Sequence, residues 1–513
     1  MKNIILSRSS DSNDMTLKKI SNLANFSWFN HPGFFADGKL ENMAFEIGAN
    51  LKDDAYCDQT IVSRVRREFE RETKKKNLLV ATQLYDIGGH TKVIDKFIRD
   101  DVESSHLIVL TKQNKKMPEW LEENAAESKV PVICLETGSS VGRASTLRSI
   151  AKYFDRVLLF IHPHDEIPIV AFSVKMDQVV FIENHAHFWF WLGITVGDVV
   201  FSHLKYMDRI VKERRRAKNS FYFPLAYKRI AEDDNNRLSK KEAKEKIGLD
   251  PDCFLIVTIG SREKYAPNKR YNFFLTAEKI LNKNPFVTIV VIGVDYQDGF
   301  VKKYVPKKND RMKLLGPVWK PYKYYEAADI ILESFPLSSI GPIYEAVVYH
   351  DVCPLFAYGE ETNILTCQRE VADPVIALDE EEYLNDLDKL VMDSHLRDKV
   401  TKEVKDLFIK RDMAFYDYLN KMYQDYDGIK HAPARIPKAV FEPDHNDLEL
   451  AGVSRMKTFS SIFSFLDRTY LKLRLIEKLR ILFFFFIRGM FWPEYFRMAI
   501  NLPRKVLLLF NKT

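Results

Sequence analysis

Residues 156–182 read RVLLFIHPHDEIPIVAFSVKMDQVVFI, and this stretch sets the pattern on which the fold prediction rests. Arg156–Ile161 and Gln178–Ile182 are short apolar runs, and a helical stretch separates them. Short apolar strands that alternate with helices indicate a parallel sheet covered on both faces. The stretch therefore predicts two strands of such a sheet, with a polar loop directly after the first.

The same alternation extends in both directions from this stretch. In the first half of the chain it predicts four further strands, at Asn77–Gln83, His106–Thr111, Val130–Leu135 and Asp198–Ser202. A hydrophilic stretch at 229–248 interrupts the pattern before it restarts. The later strands are Cys253–Ile259, Phe286–Ile292, Met312–Leu315, Asp329–Leu332, Val352–Leu355 and Pro374–Ile376. Two such repeats predict an α/β protein with two Rossmann-like domains that face a cleft, where ligands lie beyond the carboxyl ends of the strands.

This pattern divides the chain into four segments. Residues 1–76 are expected to form an N-terminal extension, 77–228 the first Rossmann-like domain and 229–430 the second. Residues 431–513 are first irregular and then apolar and basic. Between Phe463 and Ile476 the apolar residues are spaced three and four apart, which places them on one face of a helix. The last segment is therefore expected to be a basic, amphipathic helical tail.

The 513 residues carry a net charge of +6, and this charge is unevenly distributed. Ten Lys/Arg and three Asp/Glu lie after Ser460, which gives the tail +7 and leaves −1 for the rest. Basicity confined to an apolar tail favours an anionic membrane surface, and not nucleic acid, as the partner. The longest apolar run, Ile481–Ile487, has seven residues, whereas a spanning helix needs about 20. With five scattered cysteines, the expected location is cytoplasmic, peripheral on the inner face of the cell membrane.

Histidines follow two of the predicted strands. His162 and His164 come directly after the first strand of the opening stretch, and His185 and His187 come after the second. Since the carboxyl ends of parallel strands meet at one edge of a sheet, we expect these rings to converge on the cleft. Two His-x-His pairs can also bind a metal ion, so a metal-dependent hydrolase stays open as an alternative.

Two groups of residues have the chemistry of a phosphate site. Gly89 and His90 follow the first strand at the start of a helix, where backbone N–H groups favour anions. Arg262, Lys264 and Lys269 follow the strand that begins the second domain. Arginine clamps phosphate through two hydrogen bonds and lysine places a point charge against it. A phosphorylated ligand opposite the histidines is the functional interpretation.

Residues 330–354 read IILESFPLSSIGPIYEAVVYHDVCP and give the most specific signal in the chain. A strand ends before a Pro/Ser/Gly loop, in which Ser338 and Ser339 can donate hydrogen bonds to phosphate. Glu345 lies near the start of the helix that follows and suits a pair of vicinal ribose hydroxyls. These residues predict a nucleotide site on the second domain.

The order of these elements over residues 77–425 resembles the GT-B glycosyltransferases. Residues 314–336, LLGPVWKPYKYYEAADIILESFP, are similar to the segment before the nucleotide-sugar loop of that family. Glu345 followed by Ala346 resembles the family's Glu-Ala pair, whose carboxylate holds the donor ribose. The resemblance implies that Arg262 with either Lys264 or Lys269 binds the donor diphosphate. His164 matches the position where retaining, group-4-like members place a histidine near the transferred sugar.

The resemblance leaves the stereochemistry open. A retaining pattern has an acid where Leu337 stands, and 332–345 is closer to the nucleotide-sugar loop of the O-GlcNAc-transferase-like and protein N-glucosyltransferase-like families. If the enzyme inverts configuration, His185 or His187 is the candidate that takes the acceptor proton. If it retains, the leaving phosphate can act as the base.

The resemblance implies a hexosyltransferase-like enzyme that moves a sugar from a nucleotide-diphosphate sugar to an acceptor hydroxyl. The first Rossmann-like domain would bind the acceptor and the second the donor. No cofactor and no catalytic metal are expected, because cationic side chains can stabilise the leaving diphosphate. The basic tail points to a membrane-linked glycan or cell-surface polysaccharide as acceptor. The same two-domain frame would also suit a polyol-phosphate transferase that makes a teichoic-acid-like polymer, or an inactive GT-B module that binds a partner.

Overall fold

The computed structural model describes residues 12–29, 35–52, 56–86, 89–135, 138–186, 189–224, 237–267, 270–305, 310–318, 321–359 and 377–436. The predicted strand Pro374–Ile376 and the predicted amphipathic helix of the tail lie outside these residues. Within them, no helix is both long enough and apolar enough to cross a bilayer.

The first sheet has seven strands, all parallel, in the order β3-β2-β1-β4-β5-β6-β7. Its strands are β1 (Lys75–Ala81), β2 (Ser104–Leu110), β3 (Val132–Cys134), β4 (Arg156–Phe160), β5 (Val179–Glu183), β6 (Val199–Ser202) and β7 (Asn219–Tyr222). The order reverses between β1 and β4, and in sheets of this type ligands bind in the crevice at that point. The two strands of the opening stretch pair directly, with Val157 opposite Val180.

Eight helices surround this sheet in the described part of the chain. They are α1 (Asn13–Phe29), α2 (Gly38–Ala49), α3 (Gln59–Phe69), α4 (Gly89–Asp100), α5 (Glu119–Glu127), α6 (Ser140–Ala151), α7 (Ile167–Ala171) and α8 (Lys205–Arg215). Alternate residues of each strand enter two separate cores. Leu79 packs with Phe97 of α4 on one face, and Leu78 packs with Leu17 of α1 and Leu147 of α6 on the other. Both faces are therefore covered, as the apolar strands predict.

The segment predicted as an N-terminal extension contributes α1, α2 and α3, which pack on the first sheet domain. Arg148 of α6 is 1% exposed and joins α2 to the first sheet domain. Its guanidinium donates to the carbonyl oxygens of Gly48 and Val170, each at 2.7 Å. Its Nε donates to the carbonyl oxygen of Ala171 at 2.7 Å. Because a buried guanidinium needs several acceptors, these bonds hold α2, α6 and α7 in one arrangement.

The second sheet has five parallel strands in the order β10-β9-β8-β11-β12. Its strands are β8 (Phe254–Ile259), β9 (Val287–Ile292), β10 (Met312–Leu314), β11 (Ile330–Leu332) and β12 (Cys353–Leu355). The ends of β8 and β9 lie very close together. Gly293 has a φ of +102°, and a side chain there would collide with the carbonyl oxygen of Gly260. Only glycine fits this position, and the close approach shapes the loop that follows β8.

The helices of the second half complete the fold. They are α9 (Lys240–Lys246), a 3₁₀ turn (Arg262–Tyr265), α10 (Phe273–Lys283), α11 (Gly299–Tyr304), α12 (Tyr322–Ala327), α13 (Ile340–His350), α14 (Glu380–Met392), α15 (Ser394–Met413) and α16 (Phe415–Tyr426). The last of them packs against the first sheet. The Tyr423 hydroxyl lies 3.1 Å from the side-chain nitrogen of Asn77, and the guanidinium of Arg156 lies 3.7 Å from the Tyr423 ring centroid. The chain therefore returns to the first domain after it has built the second.

Glu41 of α2 provides a test of how the N-terminal helices are attached. The carboxylate is fully buried and accepts hydrogen bonds from the Gly193 N–H at 2.8 Å and the Thr195 hydroxyl at 2.9 Å. Burial raises its pKa from 4.5 to about 7, although both hydrogen bonds lower it. Between these two pH values the native state holds a proton that the unfolded state has lost. Stability therefore falls as the pH rises through this window.

We predict that Glu41→Gln removes this part of the pH dependence. The wild type should lose unfolding free energy between pH 5 and pH 8 that the variant keeps. Over this range the variant should therefore gain about 2–3 kcal/mol relative to the wild type. Urea unfolding at a series of pH values measures it, with Glu68→Gln on the exposed side of α3 as the control. Stability curves of wild type and Glu41→Gln that stay parallel across this range would contradict the assignment.

Candidate functional site

Four histidine rings form a row at the carboxyl edge of the first sheet. The ring centroids of His164 and His162 are 5.8 Å apart, those of His162 and His90 are 6.0 Å apart, and those of His90 and His185 are 4.4 Å apart. His162 and His164 follow β4, His185 follows β5, and His90 lies in the first turn of α4. The structure thus brings together four histidines of the expected cleft, while His187 lies outside the described residues.

Aromatic side chains flank this row of imidazoles. The Trp28 ring of α1 stacks on His164 with centroids 5.8 Å apart, and the Tyr85 ring stacks on His162 at 5.7 Å. Both aromatic rings come from segments that precede the histidines in the chain. They limit the orientations that the imidazoles can adopt, so the row has a defined geometry before any ligand arrives.

A buried carboxylate, Glu183 at the end of β5, holds the row in place. Its Oε2 lies 3.0 Å from Nδ1 of His90 and its Oε1 lies 3.0 Å from Nε2 of His203, which follows β6. The other ring nitrogens of His90 and His203 face the carbonyl oxygens of Phe160, at 2.8 Å, and Phe223, at 3.0 Å. A ring that bonds to two oxygen acceptors carries an N–H on both nitrogens. The geometry therefore indicates a negative carboxylate between two positive imidazoles.

The electrostatics of the row follow from this charge arrangement. Burial raises the pKa of Glu183, but hydrogen bonds from His203 and His90 outweigh burial and hold this pKa well below its usual range. Burial lowers the pKa of His162 to about 2 and that of His185 to about 3, and repulsion from His90 adds to both shifts. His90 is therefore a cationic ring with neutral imidazoles on either side of it.

The second domain presents its polar groups on the loops after β8 and β11. Lys264 donates from Nζ to the carbonyl oxygen of Ser338 at 2.6 Å, so the two loops are in contact. The hydroxyl of Ser338 donates to the buried carboxylate of Glu333, and the hydroxyl of Ser339 lies 2.7 Å from that of Ser334. The predicted donor residues Lys264, Ser338 and Ser339 are thus brought together.

Arg262 lies on the same loop after β8 and is 43% exposed. Its Nε donates to the Asp298 carboxylate at 2.6 Å. The guanidinium is thus accessible to a ligand from the side that faces solvent. Lys269, the alternative phosphate lysine, lies outside the described residues.

An ion pair between α4 and α13 joins the two halves across the cleft. The ammonium of Lys92, two residues after His90 on α4, contacts the Glu345 carboxylate on α13. The two side chains are 20% and 19% exposed, and the Tyr325 hydroxyl lies 3.3 Å from the second oxygen of Glu345. The predicted ribose carboxylate therefore lies against the same helix start that carries Gly89 and His90.

Comparisons with known proteins agree with this architecture. No family model and no curated protein sequence matches the chain. Among solved structures, a mutant of the Thermobaculum terrenum O-GlcNAc transferase aligns with 12% identity and a TM-score of 0.51, over 75% of this chain and 77% of that one. Anabaena HepE in complex with UDP aligns with 11% identity and a TM-score of 0.52, over 68% of this chain and 100% of that one. A glycosyltransferase from Rickettsia africae aligns with 12% identity and a TM-score of 0.50, over 69% of this chain and 98% of that one.

This chain has the GT-B fold. The prediction of two Rossmann-like domains is confirmed by the two parallel sheets and by the structural matches.

Three residues of this GT-B site were not predicted from the sequence. Glu183 is the last residue of an apolar strand, and the acid two positions before His185 was a usable signal. His203 directly follows β6, in the same position relative to its strand as the other histidines. For Lys92 no signal existed, because its partner lies 253 residues further along the chain.

A metal ion has one candidate position among the described residues of this GT-B site. Ligand atoms of His90, Glu183 and His185 all lie within 4.8 Å of one another. The Nδ1 atoms of His90 and His185 lie 3.0 Å and 3.5 Å from the same oxygen of Glu183. Since His90 bonds to this oxygen through a proton, a metal ion would have to displace that proton.

We predict that His162 and His185 remain neutral in the native protein at mildly acidic pH. Their imidazole NMR signals, assigned by comparison with His162→Gln and His185→Gln, should keep neutral chemical shifts down to about pH 5, because burial and His90 lower both pKa values. The urea-unfolded protein is the control, in which all histidines should titrate near 6.5. Protonation of His162 or His185 in the native protein with a midpoint near pH 6.5 would contradict the lowered pKa values.

Proposed function

We propose that this protein is a GT-B glycosyltransferase that moves a hexose-like sugar from a nucleotide-diphosphate sugar to an acceptor hydroxyl. The observation that carries this proposal is the contact of Lys92 with Glu345. It sets the helix start that carries the charged His90 ring against Glu345, the carboxylate that suits a ribose. A donor held by Glu345 would extend its diphosphate and sugar toward His90, where the two domains meet.

The donor diphosphate needs positive charge as it leaves. In the proposed reaction Arg262 and Lys264 supply it from the second domain, and His90 and Lys92 supply it from the first. Fixed cations of this kind lower the barrier because they need no reorganisation when charge develops. A catalytic metal is then unnecessary. The complexes of HepE with UDP and with UDP and glucose support a nucleotide of this type.

The acceptor side of the reaction belongs to the first domain. His164 and His185 are the proposed catalytic imidazoles, together with His187. A ring that accepts a proton from an acceptor hydroxyl must be neutral beforehand, as His164 and His185 are, but the burial that lowers their pKa values also makes them weaker bases. Whether the sugar keeps or inverts its configuration is left open by this proposal.

The basic, apolar tail supports a membrane-linked glycan or cell-surface polysaccharide as the final acceptor. In this proposal the enzyme is cytoplasmic and binds the anionic inner face of the cell membrane through residues 431–513. The support is the +7 charge after Ser460 and the apolar face from Phe463 to Ile476.

One observation favours a second candidate function, a metal-dependent hydrolase. His90, Glu183 and His185 have the ligand types of a zinc site. This candidate requires stoichiometric zinc in the purified protein and loss of activity on chelation. Transfer of sugar by protein treated with EDTA would exclude it.

Nucleotide binding tests the proposed donor site directly. The full-length protein should melt at a higher temperature with one class among UDP-, GDP-, CDP- and TDP-sugars, because a ligand that binds only the native state stabilises it. For that nucleotide, we predict that Glu345→Gln raises Kd by about 10- to 100-fold, since charge-assisted bonds to the ribose are lost. Glu381→Gln on the exposed side of α14 is the control. Equal affinities for the two variants would exclude Glu345 from the donor site.

A second prediction concerns the diphosphate. Arg262→Ala should abolish the rise in melting temperature, because the guanidinium that clamps the phosphates is removed. Lys241→Ala is a matched control, since Lys241 also pairs with an aspartate, Asp252, at 2.7 Å in the same domain. The control should respond like the wild type. A full thermal shift in Arg262→Ala would refute the phosphate assignment.

A further inference from the structure

A cavity of about 1040 Å³ lies at the carboxyl edge of the first sheet. Its walls come from α1, from the loops after β1, β2 and β4, and from the start of α6. All 15 residues that line it are polar or charged. No apolar side chain lines it for a lipid chain to pack against, so the wall favours a hydrated, polar ligand.

The charge of this cavity is predominantly positive. Five of its lining residues are cationic and two are acidic. The cationic residues are Lys18, Lys112, Lys115, Lys116 and Arg143. Lys18 and Lys115 are exposed on the wall, and neither forms an ion pair with another described residue. Their ammonium groups are therefore accessible to a bound anion.

The two acids of the cavity are already satisfied by the protein. Asp14 accepts a hydrogen bond from the backbone N–H of Val141 at 3.0 Å. Glu166 is 2% exposed, accepts from the Ser140 hydroxyl at 2.7 Å and contacts the ammonium of Lys112. Glu166 is thus paired with Lys112 and Asp14 is held by the backbone, and with five cations against two acids the wall keeps a net positive charge.

The floor of the cavity is rigid. Asp165 is fully buried beneath it and accepts hydrogen bonds from the Thr82 hydroxyl at 2.7 Å, from the Thr111 hydroxyl and from the Ile167 N–H at 3.1 Å. Burial acts to lower the pKa of Lys112, but the carboxylates of Glu166 and Asp165 raise it above its usual value. Lys112 therefore stays charged at a fixed place in the cavity.

The cavity is connected to the proposed reaction centre by the imidazole row. His164 lines the cavity, and its ring lies 5.8 Å from that of His162, which lies 6.0 Å from that of His90. His90 in turn lies on the same helix turn as Lys92, which contacts Glu345. A molecule in the cavity can therefore extend a hydroxyl along this row toward the donor.

We infer that this cavity binds the acceptor, and that the acceptor is a hydroxyl-rich chain that carries carboxylate or phosphate groups. This inference rests on the proposed function and specifies the chemistry of its second substrate. A glycan with uronic acids and a polyol-phosphate chain both have this chemistry, whereas a neutral glycan lacks the charge that Lys18 and Lys115 would pair with.

Binding of three short oligomers to the full-length protein tests the inference by isothermal titration calorimetry, without any donor. The probes are a tetrasaccharide of alternating glucuronic acid and N-acetylglucosamine, a glycerol phosphate tetramer, and a neutral N-acetylglucosamine tetramer. At least one anionic probe should bind with a Kd at least about tenfold below that of the neutral one. Its affinity should fall as salt is raised from 50 to 300 mM, because exposed charges are screened. The better of the two anionic probes identifies the source of the charge.

A double variant locates the site of binding. Lys18→Gln combined with Lys115→Gln should weaken the anionic probe about tenfold. Lys402→Gln combined with Lys410→Gln, which changes two exposed lysines of α15, is the matched control and should leave binding unchanged. Thermal melts establish that both double variants are folded.

Equal affinity for the neutral and anionic probes, or unchanged anion binding in the Lys18 and Lys115 variant, would overturn the inference. The nucleotide experiments on Glu345 and Arg262 use a different ligand and a different domain. Failure of nucleotide binding would therefore refute the proposed function, while failure of anion binding alone would refute only the nature of the acceptor.

Discussion

The hydrogen bonds of the Glu183 carboxylate with His90 and His203 hold the site together. The carboxylate is buried at the end of a central strand, where an ionised group without partners would be strongly unfavourable. His90 and His203 satisfy it from the two sides and so tie the start of α4 to the ends of β5 and β6. Burial keeps the neighbouring rings of His162 and His185 neutral, and repulsion from His90 adds to this effect. The Glu183 carboxylate thus sets the position of His90 and contributes, through His90, to the protonation of the row.

The contact between the domains extends this arrangement across the cleft. Lys92 lies about half a turn after His90 and pairs with Glu345. In the proposed donor site this pair would have to open or rearrange when a ribose approaches the carboxylate. Lys92 would then be released next to the position proposed for the diphosphate. An ammonium group exchanged from a carboxylate to a phosphate keeps its charge paired throughout, so the exchange would avoid a buried, unpaired ion.

The sequence was sufficient to predict most of the sheet framework but only part of the site. The strands β4 and β5 are continuous apolar runs, and their pairing follows from the rule that such strands form parallel sheets. Strand β7 was missed because NSFY is short and partly polar. Helices α1 to α3 were predicted only as an extension, since their polar and mixed composition does not reveal that they pack on the sheet domain or that a buried arginine, Arg148, bonds to α2. A run of apolar residues is enough to predict a strand, whereas the contacts between segments far apart in the chain depend on how the folded chain packs.

The same distinction applies to the functional residues. The position of His162, His164 and His185 at one edge could be predicted, because each follows an apolar strand. The carboxylate that organises them and the lysine that reaches Glu345 are defined by partners elsewhere in the chain. The cationic cavity also could not be predicted, since Lys18, Lys112 and Arg143 come from three separate segments.

A crystal structure of the full-length protein with the nucleoside diphosphate that stabilises it most would show whether a donor lies between Glu345 and the imidazole row. We expect ribose hydroxyls on the Glu345 carboxylate and phosphates between Arg262, Lys264 and the start of α4. A nucleotide bound elsewhere, with Lys92 and Glu345 still in contact, would rule out this donor site.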